Sequence, residues 1–277
     1  MKRKAILFCL AFALTACFFP KARAAKYGSG VPVDAGFPRS PLSATIYLDQ
    51  SAEQELEKRR IPLKAITTEV YKVFRTDNLL EFSYRFGEGS VIRWLHSDEY
   101  NASRPKKKGV PITTESYVLL EREVDWLWHN RCEASVCIFL SGDLDRTRGQ
   151  AFRDKEAGKG AILLGAGVFD EFWETAPREE LNEEYGYFFL YGTDDEEKAI
   201  FKETFSKKER RCLKKAAKLP YTEMLALYWV HEQAHLYYLG HSLDPCSIMY
   251  PVSNASRKFD GTSLNEIRRH LKIIRKN

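Results

Sequence analysis

Histidine is scarce in this chain, with six in 277 residues, and so is any surplus of charge: 43 Lys+Arg stand against 38 Asp+Glu, a formal net charge of +5. That near balance gives no electrostatic reason to expect a nucleic-acid partner. Long apolar runs are missing too. The run Ala5 to Leu14 is too short to span a bilayer as a permanent helix. Cysteine is sparse, and Cys132-x4-Cys137 has no second closely spaced pair, so a thiolate zinc knuckle is not expected. No internal repeat and no second domain boundary is visible. What remains is ordinary globular composition, 44% hydrophobic and 29% charged. The length suits one large domain or two small ones, with a core that needs no staples.

The basic character is concentrated at the start. Lys2, Arg3 and Lys4 precede the apolar run, the pattern of a secretory signal. The run ends in Leu14-Thr15-Ala16-Cys17, which resembles the lipobox of bacterial lipoproteins. That resemblance implies removal of residues 1–16, acylation of Cys17 and anchoring in a lipid bilayer. A plain signal cleaved near Ala24 or Ala25 is the alternative. Loss of residues 1–16 lowers the formal charge from +5 to +2, and nucleic acid recedes further as a partner. Phe18 stands where an inner-membrane retention signal would have Asp, so the resemblance implies the outer membrane if the host is Gram-negative. Residues 17–42 hold Gly28-Ser29-Gly30 and Pro32, Pro38 and Pro41, and read as a lipidated, flexible tether. A single folded domain is expected over residues 43–277.

With Cys9 removed and Cys17 acylated, four cysteines remain, enough for two disulfides in an exported chain. The pairing Cys132–Cys137 with Cys212–Cys246 is favoured, and four buried thiols are the alternative. Strands are expected at Leu42 to Leu48, Ile66 to Arg75, Leu79 to Phe86, Cys137 to Leu140, Ala161 to Leu164 and Tyr185 to Tyr191. Ser51 to Arg60 reads as a helical turn or two, and Glu115 to Trp128 fits strand or helix. From Asp195 the period becomes helical: 195–218, then Thr222 to about Tyr238, then a last helix from Ser263 with Glu266 completing a capping box. Strands followed by helices predict an α+β layout with helices on one side of a sheet. Arg104 to Lys108 reads as a solvated loop. Trp94, Trp126, Trp128 and Trp173 read as core, with a binding surface as the alternative.

The chemistry lies in His231-Glu232-Gln233-Ala234-His235. Residues four apart share a helix face, so the two imidazoles can grip one zinc ion while Glu232 reaches a metal-bound water. His241 follows six residues later. On an unbroken helix it would sit about 240° round the axis and roughly 9 Å along, so the helix must end first. Gly240 offers a left-handed exit. His231 and His235 with Asp244 or Glu266 form an alternative ligand set.

The stretch HEQAHLYYLGHSLDPCSIMYP, residues 231–251, resembles the metzincin zinc endopeptidases, in particular their matrixin-like branch. The resemblance implies Zn2+ held by His231, His235 and His241, and Glu232 as general base in Glu-assisted attack of zinc-bound water on a peptide bond. It further implies Met249 in a Met-turn, Tyr250 near a substrate pocket and a C-terminal helix. The implied fold is an α+β, zincin-like twisted mixed sheet with an active-site helix, and the implied substrate is a protein or peptide lying along an edge strand. Residues 185–191 and 161–168 are candidates for that edge. One departure stands out: the family glycine after the second histidine is Tyr238 here. The functional expectation is an envelope-anchored zinc endopeptidase. The alternative is an inactive surface lipoprotein of the same fold that binds or adheres.

Overall fold

In the computed structural model, the described residues are 42–77, 79, 84–104, 113–145, 149–154, 159–167, 206–216, 219–237, 239–250 and 256–274. The Tyr185 to Tyr191 strand, residues 195–205 of the expected helix, Trp173, Tyr238 and the tether lie outside them. Among the described residues, no helix is long and apolar enough to cross a membrane.

Five strands form one sheet: β1 (Leu42–Asp49), β2 (Tyr84–Trp94), β3 (Val136–Asp145), β4 (Gly149–Asp154) and β5 (Lys159–Gly167). Their order is β2-β1-β3-β5-β4; every pairing is parallel except β4 with β5. Strand β5 is therefore interior, paired on both sides, and of the expected edge 161–168 the described residues 161–167 are not an edge. The described edge strands are β2 and β4. The expected strands at Leu42 to Leu48, Cys137 to Leu140 and Ala161 to Leu164 are present within β1, β3 and β5.

Seven described helices flank the sheet: α1 (Gln50–Lys58), α2 (Leu63–Thr76), α3 (Asp98–Ser103), α4 (Thr114–Arg131), α5 (Lys207–Ala216), α6 (Tyr221–Leu236) and α7 (Gly261–Ile274). They lie on both faces, not on one. Side chains alternate across a strand, and two cores result. Ile46, Ile138, Leu140, Ile162 and Leu164 pack with α1, α2, α6 and α7. Tyr47, Cys137, Phe139, Ala161 and Leu163 pack with Leu120, Val124 and Trp128 of α4. The layout is a mixed α/β one with a helical layer on each side.

The strand expected over Ile66 to Arg75 is helix α2. Val, Tyr and Phe in VYKVF favour a strand locally, yet the buried set is Ile66, Val70, Val73 and Phe74, spaced for one helix face. The same period decides α4, where Leu120, Val124 and Trp128 are buried. Trp94 and Trp128 are core, at 2% and 3% exposed, whereas Trp126 is 53% exposed.

The last helix begins differently from the expected capping box. Asp260 caps α7: its Oδ1 accepts from the amides of Thr262 at 2.9 Å and Ser263 at 3.0 Å, and its Oδ2 from Ser263 Oγ and Ser247 Oγ, each at 2.7 Å. Partial burial pushes this carboxyl's pKa up, but the donors from Ser263, Ser247 and Ser242 outweigh it and hold the value at about 2. Glu266 pairs with Arg269 instead. Cys132 is paired with Cys137, and Cys212 of α5 with Cys246.

Candidate metal centre

Helix α6 opens behind Pro220 and is buried on nearly every side, with Leu225, Ala226, Trp229, Val230 and Gln233 fully enclosed. It packs against α2, β4 and β5, which fixes its axis beneath the sheet. The helix stops at Leu236, where the Tyr237 amide turns back to Ala234 O. Gly240 is not the left-handed exit. Its φ is not positive, and an added Cβ would meet nothing within 4 Å. The chain has already left the helix, and this early exit returns His241 to the other two histidines.

The three rings form a near-equilateral triangle, with centroids 4.8 Å apart for His231–His235, 5.3 Å for His231–His241 and 4.9 Å for His235–His241. One imidazole nitrogen from each lies within 4.8 Å of the others. Backbone carbonyls orient two of the rings: His231 Nδ1 donates to Ile248 O and His235 Nδ1 to Leu239 O, both at 2.7 Å. A carbonyl only accepts, so each Nδ1 carries its ring's proton and each Nε2 a lone pair. The two Nε2 atoms face each other at 3.1 Å. Two nitrogens at about 2.0–2.1 Å from one tetrahedral zinc ion would stand about 3.3 Å apart. The donor set therefore fits the metal.

Electrostatics agrees with that geometry. Burial, then the charge of His235, lowers the His231 pKa to about 4. Burial likewise lowers His235, with help from His241 and Arg153 and against the Leu239 carbonyl, and it lowers His241. All three rings are thus held in the neutral form that ligates metal. Glu232, 8% exposed, has its carboxyl raised by burial to about 7.

The loop after His241 is built from its own backbone. Ser242 N donates to Met249 O at 2.8 Å, Ser247 N to Asp244 O at 2.9 Å, and Ile248 N to Lys258 O at 2.8 Å. Asp244 Oδ1 accepts from Cys246 N at 2.8 Å, so this side chain shapes the turn. Neither Asp244 nor Glu266 joins the histidines, which removes the alternative ligand set. Met249 is 0% exposed within the core, and Tyr250 is half-buried. The Cys212–Cys246 pair ties this loop to α5.

Three contributors are invisible in the sequence. The carbonyls of Leu239 and Ile248 have no side-chain signature. Gly149, the first residue of β4, is the third: a Cβ there would stand 2.7 Å from Cγ and Oε1 of Glu232. Gly149 is 83 residues before Glu232, and nothing local marks the approach.

No family model and no curated protein sequence matches the chain. Among solved structures, an archaemetzincin from Methanopyrus kandleri is similar, with 13% identity, a TM-score of 0.43, and coverage of 86% of this chain and 97% of that one.

Proposed function

We propose that the chain is a zinc-dependent endopeptidase of the metzincin type, exported on residues 1–16 and held at the bacterial cell envelope by acylated Cys17 and the tether to residue 42, in the outer membrane if the host is Gram-negative. One observation carries the catalytic reading: two lone-pair nitrogens, His231 Nε2 and His235 Nε2, aimed at each other at 3.1 Å with His241 completing the triangle. Acceptors in that arrangement repel unless a cation stands between them. Bound there, zinc supplies a Lewis acid that polarises a carbonyl and acidifies water.

The remaining work belongs to the chain. Glu232 follows His231 directly and precedes His235 by three residues on the same helix, and its burial keeps the carboxyl basic enough to take a proton near neutral pH. It then passes that proton to the leaving amine. Met249 packs as an apolar floor in the turn that carries the Ile248 carbonyl. Tyr250 lines the substrate pocket. Strand β4 runs antiparallel to β5 beside α6 at the edge of the described sheet, and an extended peptide is added there as a further strand. A peptide there passes Gly149, and so passes Glu232.

Removal of the metal tests the reading. Chelation is expected to abolish cleavage of a peptide library, and one equivalent of Zn2+ to restore it. Cleavage that persists in the metal-free chain contradicts the proposal. Gly149→Ala probes the placement of Glu232. The carboxylate end of Glu232 can swing aside, so the fold is expected to survive, but a base displaced by about 1 Å costs on the order of 10²-fold in rate. The check is kcat beside metal content and melting temperature. Unchanged kcat would show that the close approach has no catalytic consequence.

A further inference from the structure

Where β1, β2 and β3 end, a second group of charged side chains is buried, and it shares no residue with the histidine triangle. Asp49 closes β1 and is 0% exposed. Its Oδ1 accepts from Ser51 Oγ at 2.8 Å, Ala52 N at 2.6 Å and Gly142 N at 3.2 Å. Its Oδ2 lies 2.8 Å from Nε2 of His96, whose side chain is 4% exposed. On the other side of that ring, Nδ1 lies 2.9 Å from Glu123 Oε2, on α4. Asp143 of β3 completes the group. A carboxylate oxygen of Asp49, a nitrogen of His96 and a carboxylate oxygen of Asp143 all lie within 4.8 Å of one another.

Three features of this cluster call for a cation. The first is the proton count. A neutral imidazole has one N–H, yet both nitrogens of His96 face carboxylates. If Nδ1 donates to Glu123, then Nε2 and Asp49 Oδ2 are two acceptors 2.8 Å apart, and something positive must stand at Nε2. The second is the charge balance. Were that cation a proton, Asp49, Glu123 and Asp143 would face, among the described residues, one imidazolium and the Arg104 guanidinium, whose Nη2 donates to Asp143 Oδ1 at 2.7 Å and lies 2.7 Å from Oδ2 as well. A buried group one negative charge in excess is costly. A divalent ion beside a neutral ring brings the same group to zero. The third is an orphaned donor. Tyr100 is 1% exposed, its ring lies 4.3 Å from that of His96, and its hydroxyl has no hydrogen-bond partner among the described residues. Asp143 and Asp49 are the charges that bear on it most.

We propose that Asp49, His96 and Asp143 form a second, structural metal site for a divalent first-row ion, with His96 binding through Nε2. One imidazole and two carboxylates form a mixed set that suits Zn2+ or Mn2+. Glu123 takes the outer-shell role, accepting from Nδ1 and fixing the tautomer. The Tyr100 hydroxyl donates to a water on the ion. Binding releases to solvent whatever proton Nε2 carries. The ion pins together the ends of three parallel strands and helix α4. It does not depend on the peptidase reading, since the two sites have no residue in common.

The test is metal stoichiometry. The His231→Ala/His235→Ala double variant is passed over a chelating resin after loading with Zn2+ or, separately, Mn2+. It is expected to retain one equivalent, to melt at a lower temperature after exhaustive chelation, and to lose both properties when Asp143→Asn is added. A folded double variant that retains no metal overturns the site and leaves His96 as an imidazolium. Retention that Asp143→Asn does not change overturns the ligand assignment. If the double variant does not fold, wild type is compared with Asp143→Asn alone. Loss of one of two equivalents supports the site, and equal content refutes it. Failure of the peptidase reading would instead show as uncleaved peptide with both equivalents bound.

Discussion

Glu232→Gln is expected to lower peptide hydrolysis by about 10²–10⁴-fold while metal content stays that of the wild type. The substitution keeps the shape and removes the basic oxygen. Glu232 is not one of the three converging ligands, so the metal has no reason to leave. Its surroundings make the loss specific to proton transfer, because its carboxyl is buried and no charged partner contributes to its raised pKa. In the proposed binding mode, a peptide paired along β4 does not need the Glu232 carboxylate to bind. The deficit should therefore fall on kcat, with KM little changed. A fluorogenic peptide assay beside elemental analysis separates the outcomes. Zinc retained with cleavage lost fits the account. Undiminished cleavage would remove Glu232 from the mechanism.

The second large effect concerns stability. Gly142→Ala is expected to destabilise the chain by about 3 kcal/mol or more, the upper end of overpacking. A Cβ at Gly142 would overlap the backbone carbonyl of Ser51 and lie 2.6 Å from the Ala52 amide. These are backbone atoms of the capped first turn of α1, held by Asp49, and they have no rotamer to change. Gly167 repeats the constraint from the other side, since its own Cβ would strike the Gly142 carbonyl. Strand β3 thus reaches α1, and β5 reaches β3 at this point, only because both positions lack side chains. For a domain of this size the cost corresponds to a fall of about 6–12 °C in melting temperature. A fall of under about 2 °C would mean that α1 can shift away at little cost.

These two residues mark how legibility is divided in this chain. The histidine triangle beside Glu232 is legible because its parts are local: two histidines one helical turn apart, and a third brought back within a few residues. Gly142 is not, because its neighbour is Ser51, and no pattern within β3 announces that approach. The same division runs through the fold. Strands β1, β3 and β5 were legible as short apolar runs. Helix α2 was misread because a five-residue window of Val, Tyr and Phe outweighed the longer spacing of Ile66, Val70, Val73 and Phe74. The second helical layer was missed because α4 fits either period until Leu120, Val124 and Trp128 are seen together against the sheet. Gly240 suggests the exit from the helix, but the helix ends earlier, at Leu236 with Tyr237 as its cap. Asp260 rather than Ser263 caps α7, since the cap also ties down Ser247 beneath the site. The cluster of Asp49, His96, Glu123 and Asp143 could not be read at all, because it exists only where separate strand ends meet.

The most direct test of the central claim is the anomalous difference map at the zinc edge from a crystal of the zinc-loaded chain. The account predicts a peak about 2.0–2.1 Å from one imidazole nitrogen of each of His231, His235 and His241, with Nε2 as the ligating atom in the first two. A map with all three rings ordered and no peak between them would contradict it.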